Sequence, residues 1–318
     1  MATYLVTGGA GFIGSHVVHE LVRRGEVVRV LDNLSTGRIA NIADVCRRIT
    51  LYETDICDLG AISPLFAGVH YVIHLAALPS VARSIADPLT ANAVNITGTL
   101  NVLLAARDAG VQRLVFAASA AAYGDNPTMP RVESLTPNPL SPYALTKLAG
   151  ECYCQIFTRI YALETVALRY FNIFGPRQNP DSPYTGVLSK FVAAYQRGDT
   201  PVIFGDGEQS RDFTYVDNVV DATLKACTAP AAAGKVINVG VGRSSTLNQT
   251  IALLNGIFGR QVRPKYDPPR KGDALHSLAD ISLARQALGY APRVGFEEGL
   301  RRTVDWFRSE ATKSSTSA

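Results

Sequence analysis

The chain has 318 residues, a formal net charge of +4 and a hydrophobic fraction of 47%. That bounds it to one large α/β domain with a smaller attachment, or to two domains, with enough apolar content for a substantial core. Lys and Arg are scattered rather than blocked, which argues against a nucleic-acid arm; the mild positive excess suits an anionic small substrate. No apolar run reaches the roughly 18 residues of a membrane span, and no signal peptide is expected before Tyr4. Cys46, Cys57, Cys152, Cys154 and Cys227 are odd in number and form no CxxC pair, so reduced thiols and a cytoplasmic location are expected. The five His show no zinc-ligand spacing, so no metal is expected.

Strands are expected at 4–7, 27–31, 51–54, 71–74, 113–116 and 165–168. Between them, helical periods run over 15–24, 84–109 and 141–161. Alternation of strand and helix predicts an α/β, doubly wound parallel sheet of the Rossmann type. After Arg169 the rhythm breaks. Residues 175–184 are rich in Pro, Asn and Gly and read as loop. Helices are then expected near 186–197, 216–227, 247–258 and 296–307, with strands at 202–204, 213–215, 236–239 and 262–266. The division is therefore a cofactor domain over 1–172 and a smaller α/β substrate lobe over 173–318, interleaved with the last strands of the sheet.

Gly8, Gly11 and Gly14 fall between the first strand and the first helix, where a dinucleotide fold needs a tight turn, a close backbone approach and a helix packed on its strand. Asp32 ends strand two, 18 residues past Gly14. Its carboxylate suits both adenosine ribose hydroxyls and would repel a 2′-phosphate, so NAD is favoured; Arg38 keeps NADP open. Asp55 and Ile56 after strand three would hold the adenine amine and flank its ring. Leu75, Ala76 and Ala77 after strand four are small enough for a cofactor to approach the backbone.

Ser141-Pro142-Tyr143-Ala144-Leu145-Thr146-Lys147 opens a helix, with Ser141 as N-cap and Pro142 in the first turn. Tyr143 and Lys147 are four residues apart and share a face. A cation one turn from a phenol favours phenolate, which would take a hydroxyl proton from a sugar or alcohol as hydride leaves the same carbon.

Read together, TGGAGFIG, DNLSTG, HLAA, Ser119-Ala-Ala-Ala-Tyr123-Gly124, SPYALTK, LRYFN, SRDFTYVDN and RKGD resemble the extended short-chain dehydrogenase/reductases that act on nucleotide sugars, in unbroken order from about residue 3 to 308. Within these the chain is most similar to UDP-sugar 4-epimerases of the UDP-glucose/UDP-N-acetylglucosamine type. The resemblance implies that Tyr143 is the catalytic base, Lys147 its activator and a nicotinamide-ribose ligand, and Ser119 a hydroxyl that relays the sugar 4-OH proton. It adds Phe12, Ile13, Asn33, Ser35, Thr36, Gly37, Asn95 and Tyr170 to the cofactor contacts. Ala120 and Ala121 stand where related dehydratases and decarboxylases carry acids, which leaves a plain oxidation–reduction cycle.

For the substrate, the resemblance implies Arg211 and Arg270 on the diphosphate and Asn172 on a phosphate oxygen. Val187, Leu188 and Phe204 would form the uracil pocket. Asp273 would take a ribose hydroxyl or brace Arg270. Ser80, Arg83 and Ser84 fall where the hexose is handled. Ser277 stands where a bulky residue would close the space beside the sugar C2 group, so it leaves room for an N-acetyl group. Arg83 and Arg177 keep a C6 carboxylate, and hence uronates, open. The resemblance also implies a homodimer, in which the long helices 84–109 and 141–161 of two subunits pair as a four-helix bundle.

Overall fold

A computed structural model describes residues 1–179, 186–269 and 275–316. Seven strands form the central sheet: β1 (Thr3–Thr7), β2 (Val27–Asp32), β3 (Ile49–Glu53), β4 (Tyr71–His74), β5 (Arg113–Ser119), β6 (Glu164–Tyr170) and β7 (Val236–Val239). Their order is β7-β6-β5-β4-β1-β2-β3 and every pairing is parallel. This is the doubly wound arrangement that the strand–helix alternation predicts. Its order reverses between β1 and β4, where such sheets open a crevice at the carboxyl ends of their strands. Thr7, Asp32, His74, Ser119 and Tyr170 are the last residues of their strands and share that edge.

Helices cover both faces, so the strands are apolar on both sides. Successive side chains go to opposite faces. Leu5, Leu31, Val72 and Leu114 join one buried cluster, while Val6, Val30, Ile73 and Val115 join the other. Helix α1 (Phe12–Arg23) follows β1. After β4 come α2 (Val81–Ala86) and α3 (Pro88–Asp108). Helix α4 (Pro142–Ile160) follows β5.

The single helix expected over 84–109 is two helices. Pro88 has no N–H to continue α2, and the Asp87 carboxylate accepts from Thr90 N at 3.0 Å, capping a new start. Within α3, Ala93–Thr97 is a π-helical turn. α3 is long and apolar enough to cross a membrane, with 21 residues and mean hydropathy 1.2, and half of that stretch is buried here. The buried part, including Val102, Leu103 and Ala106, packs on the sheet as core.

The second lobe has short strand pairs: Ile173–Phe174 with Thr214–Tyr215, Val202–Phe204 with Lys265–Asp267, and Ser210–Arg211 with Ser245–Thr246. Between these run α5 (Val187–Arg197) and α6 (Val216–Thr228), followed by α7 (Leu247–Phe258). The expected strand at 262–266 begins later. The Asn255 side chain binds Val262 N and O, at 2.9 and 3.1 Å, and holds that residue off the ladder. Helix α8 (Ser282–Leu288) carries too short an apolar period to read from sequence, and α9 (Phe296–Thr316) closes the chain. All five cysteines are free.

Candidate active site

The glycine turn is built by close backbone contact. Gly8 has φ +70°, and a Cβ there would meet Ala76 N at 2.7 Å; a Cβ on Gly14 would collide with the Gly8 carbonyl oxygen. Gly11 is the N-cap of α1 and brings no side-chain cap, so the first N–H groups of that helix, on Phe12 and Ile13, carry no capping side chain. Such an end attracts anionic oxygens.

Asp32 is buried and accepts from Ala10 N and Leu34 N, both at 2.9 Å. Burial raises its pKa, and these two N–H groups oppose the shift. A Cβ on Gly37 would press on both Asp32 oxygens, at 2.7 and 2.8 Å, so only glycine fits against that carboxylate. Asn33 donates to Asp55 at 2.8 Å and accepts from Ser35 N and Oγ. Asp55 also accepts from Cys57 N at 2.8 Å. Thr36 is exposed beside them, while Ile56 is buried under Gly98. Leu75 N donates to the Thr7 carbonyl, and Ala76 N to Thr7 Oγ1 at 3.2 Å, so the 75–77 turn lies along β1.

Two expected contacts have other partners. Asn95 is buried, and both hydrogens of its amide are committed, to Leu78 O at 3.3 Å and Thr146 Oγ1 at 3.1 Å; its Oδ1 accepts from Leu78 N at 2.7 Å. It ties the turn after β4 to α4. The Tyr170 hydroxyl lies 2.7 Å from Thr223 Oγ1 on α6, so only its ring is free to form a wall.

Ser141 caps α4 through Ala144 N at 3.2 Å. Gly150 lets that helix settle on the Phe116 ring, where a Cβ would clash. Tyr143 and Lys147 accordingly sit over the end of β5. The Tyr143 phenol lies close to Ser119, whose hydroxyl favours phenolate, but burial is the larger influence and its pKa is raised. Lys147 Nζ donates to Ala117 O at 2.9 Å and lies 5.0 Å from the Phe116 ring centre. Burial brings its pKa down to about 8. Burial therefore opposes the phenolate that the helical spacing of the pair favours.

Beneath this pair lie groups the sequence reading passed over. His74 is buried, with Nδ1 2.7 Å from Thr7 Oγ1 and Nε2 3.0 Å from Thr99 Oγ1. Thr99 donates its own hydrogen to Asn95 O at 2.6 Å, so it accepts from His74, and Nε2 carries the imidazole proton. Glu151, four residues past Lys147, grips Arg169 of β6 with two bonds of 2.9 and 2.7 Å. Burial works against the Arg169 charge, but Glu151 outweighs it and holds the guanidinium above its ordinary range. An acid on the sheet-facing side of an apolar helix was the available signal.

In the second lobe, a cavity of about 270 Å³ brings together Asn172, Val187, Leu188, Phe204 and Arg211. Asn172 Nδ2 lies 3.3 Å from Ser277 Oγ, which joins that residue to its rim. Arg270 and Asp273 lie outside the described residues. A larger cavity of about 420 Å³, between α4 and the β6–β7 edge of the sheet, includes none of the expected site residues. Ser80 caps α2 by accepting from Arg83 N at 3.1 Å, and Arg83 is partly exposed one turn before Asp87. Arg177 lies against the His19 ring, 3.2 Å from each nitrogen, and so packs on α1.

A cofactor crevice at the sheet's switch point, a Ser–Tyr–Lys set at its end and a cavity in the second lobe are thus arranged along one edge. Residues 4–240 match the model of the NAD dependent epimerase/dehydratase family. The chain belongs to that family. NAD is accordingly its cofactor, and the glycine turn, the open end of α1 and the buried Asp32 fit it.

Among solved structures, the chain is similar to UDP-glucose 4-epimerase from Thermotoga maritima with UDP-glucose, at 42% identity, covering 97% of this chain and 99% of that one, TM-score 0.93. It is similar to UDP-N-acetylglucosamine 4-epimerase from Methanobrevibacter ruminantium in complex with UDP-N-acetylmuramic acid, at 41% identity, 97% and 99% coverage and TM-score 0.93. It is also similar to UDP-glucuronic acid 4-epimerase from Bacillus cereus in complex with UDP-glucuronic acid and NAD, at 31% identity, 97% and 99% coverage and TM-score 0.90.

Proposed function

We propose that this protein is an NAD-dependent UDP-sugar 4-epimerase acting on UDP-hexoses or UDP-N-acetylhexosamines through a transient 4-keto sugar. The observation that carries the reading is the placement of the Tyr143 phenol close to Ser119 and one turn from a buried Lys147, at the switch-point edge of the sheet. Bound NAD supplies reversible acceptance of the C4 hydrogen as hydride. Tyr143 takes the 4-OH proton through or beside Ser119, and returns it after the sugar has turned. Lys147 favours the phenolate by its charge. In this reading burial opposes ionisation of the phenol, and positive charge close to it favours the phenolate.

Inversion requires the sugar to present its other face while the nucleotide stays held. Arg211 and Asn172, in the second-lobe cavity, are suited to grip phosphate oxygens, and forked Arg donors match them well. Val187, Leu188 and Phe204 offer an apolar slot for the uracil ring. Ser277, beside Asn172, leaves space at the sugar C2 group.

Uronates are the second reading. The packing of Arg177 on His19 counts against it, because that guanidinium is then committed away from a C6 carboxylate. Two copies would pair through α3 and α4, a reading supported by apolar residues left exposed there: Leu89 at 84%, Leu145 at 53% and Ile160 at 69%.

The test is a panel of UDP-glucose, UDP-N-acetylglucosamine and UDP-glucuronate followed by NMR. The expected result is a C4 epimer from the hexose or the N-acetylhexosamine, lost in Tyr143→Phe. No C4 epimer from any of the three would overturn the reading, as would a Tyr143→Phe variant that matches the parent.

A further inference from the structure

The start of α4 has an unusual division of its free donors. The first N–H groups of a helix have no intrahelical acceptor. Here the first helical residue is Pro142, which has none to satisfy. Ala144 N goes to Ser141 Oγ at 3.2 Å and Leu145 N to Ser141 O at 3.0 Å. The remaining donor belongs to Tyr143 itself, and it crosses to another helix, donating to Ser84 Oγ of α2 at 3.0 Å.

Ser84 is 0% exposed, so its hydroxyl meets neither solvent nor sugar. Its own hydrogen goes to Val81 O at 2.7 Å, which leaves the oxygen lone pairs turned to Tyr143 N. The other side of the same residue is held as well. Thr146 Oγ1 donates to Tyr143 O at 2.8 Å and accepts from Asn95 Nδ2 at 3.1 Å. The Tyr143 backbone is thus bracketed by two side-chain hydroxyls, each anchored to the segment that follows β4. That segment also meets the glycine turn, through Ala76 against Gly8.

We infer that Ser84 is a positioning residue for Tyr143: by accepting the Tyr143 N–H it fixes where the phenol stands relative to Ser119 and Lys147, and it couples that placement to α2. The inference rests on the reading of Tyr143 as the proton-transferring group. Side-chain replacement at Ser84 leaves a buried N–H without an acceptor, and the first turn of α4 relaxes toward other partners. A displacement of about 1 Å at a reacting group costs up to roughly a hundredfold in rate.

The experiment compares Ser84→Ala, Ser84→Cys and Ser84→Thr in the NAD-loaded enzyme, measuring kcat, KM for the UDP-sugar and the pH profile of kcat. Ser84→Ala is expected to lower kcat by about 10- to 100-fold with KM changed less than about threefold, and to move the acid limb upward. Ser84→Cys keeps the shape but presents a weak acceptor, so an intermediate fall is expected and keeps the test open if the alanine variant folds poorly. Ser84→Thr retains the hydroxyl and restores most of kcat. A kcat and pH profile within about twofold of the parent in Ser84→Cys or Ser84→Ala would overturn the inference. So would a loss that tracks the folded fraction alone. Tyr143→Phe run alongside separates the two claims. An inactive Tyr143→Phe with a normal Ser84→Ala removes only the positioning role, whereas an active Tyr143→Phe removes the underlying reading.

Discussion

Lys147 lies one helical turn past Tyr143, yet its Nζ is spent on the Ala117 carbonyl of β5, 2.9 Å away. The sheet therefore decides where this cation sits, and burial brings its pKa down to about 8 from 10.5. For a base whose folded pKa is depressed, burial of the charge disfavours the fold below about 8, and that cost is relieved as pH rises from 8 to 10.5. Activity has the opposite dependence, because the ammonium is what favours the phenolate. A fall in kcat is expected as pH rises through about 8, and Lys147→Arg, whose cation persists above pH 12, should move that limb upward in its residual activity. A limb unmoved by Lys147→Arg would assign it to another group.

Tyr143 and Ser119 should contribute unequally. The phenol is the proton acceptor, so Tyr143→Phe is expected to lower kcat by about 10²- to 10⁴-fold. Ser119 also accepts from Ala121 N at 3.2 Å at the end of β5. Ser119→Ala should therefore lower kcat less than Tyr143→Phe and also reduce thermal stability slightly. Equal rates for Ser119→Ala and the parent would remove it from proton transfer.

The sheet was legible because parallel strands are written as short continuous apolar runs, such as Leu114-Val115-Phe116, and the switch-point edge follows from their order. The glycine turn and the Tyr143/Lys147 pair were legible because backbone approach and helical spacing restrict residue type. What stayed hidden depends on contacts distant in the chain. Asn95 looks like a ligand in sequence, but its amide is consumed by Leu78 and Thr146. Arg177 looks like a carboxylate receptor, but it packs on His19, 158 positions away. Ser84 reads in sequence as a residue near the hexose, and its bond to Tyr143 N emerges only once α4 is docked on α2.

His74 and His16 make the protein sensitive to acid. Burial lowers them to about 3 and about 4, from 6.5. Their stabilising effect is complete above pH 6.5 and is lost as pH falls toward those values, at about 1.4 kcal/mol per pH unit for each group. Thr7 donates to one ring nitrogen of neutral His74, so protonation would require that hydroxyl to turn and accept instead. The urea midpoint should fall more steeply between pH 6.5 and 4.5 in the parent than in His74→Asn. Identical slopes would mean that His74 binds its proton in the folded protein as readily as in the unfolded chain.

The rim residue Ser277 should set substrate choice. Ser277→Tyr is expected to abolish turnover of UDP-N-acetylglucosamine while UDP-glucose keeps its kcat/KM within about tenfold, since lost space costs binding only where a group must occupy it. Parallel losses on both substrates would place the C2 group elsewhere.

The central claim is that the C4 hydrogen leaves and returns within one turnover, while the 4-OH proton passes through Tyr143. A UDP-hexose deuterated at C4, incubated with the enzyme in ordinary water and followed to equilibrium by NMR, tests this most directly. The account predicts that both epimers keep their deuterium at C4. Epimerisation with loss of that deuterium to water would contradict it.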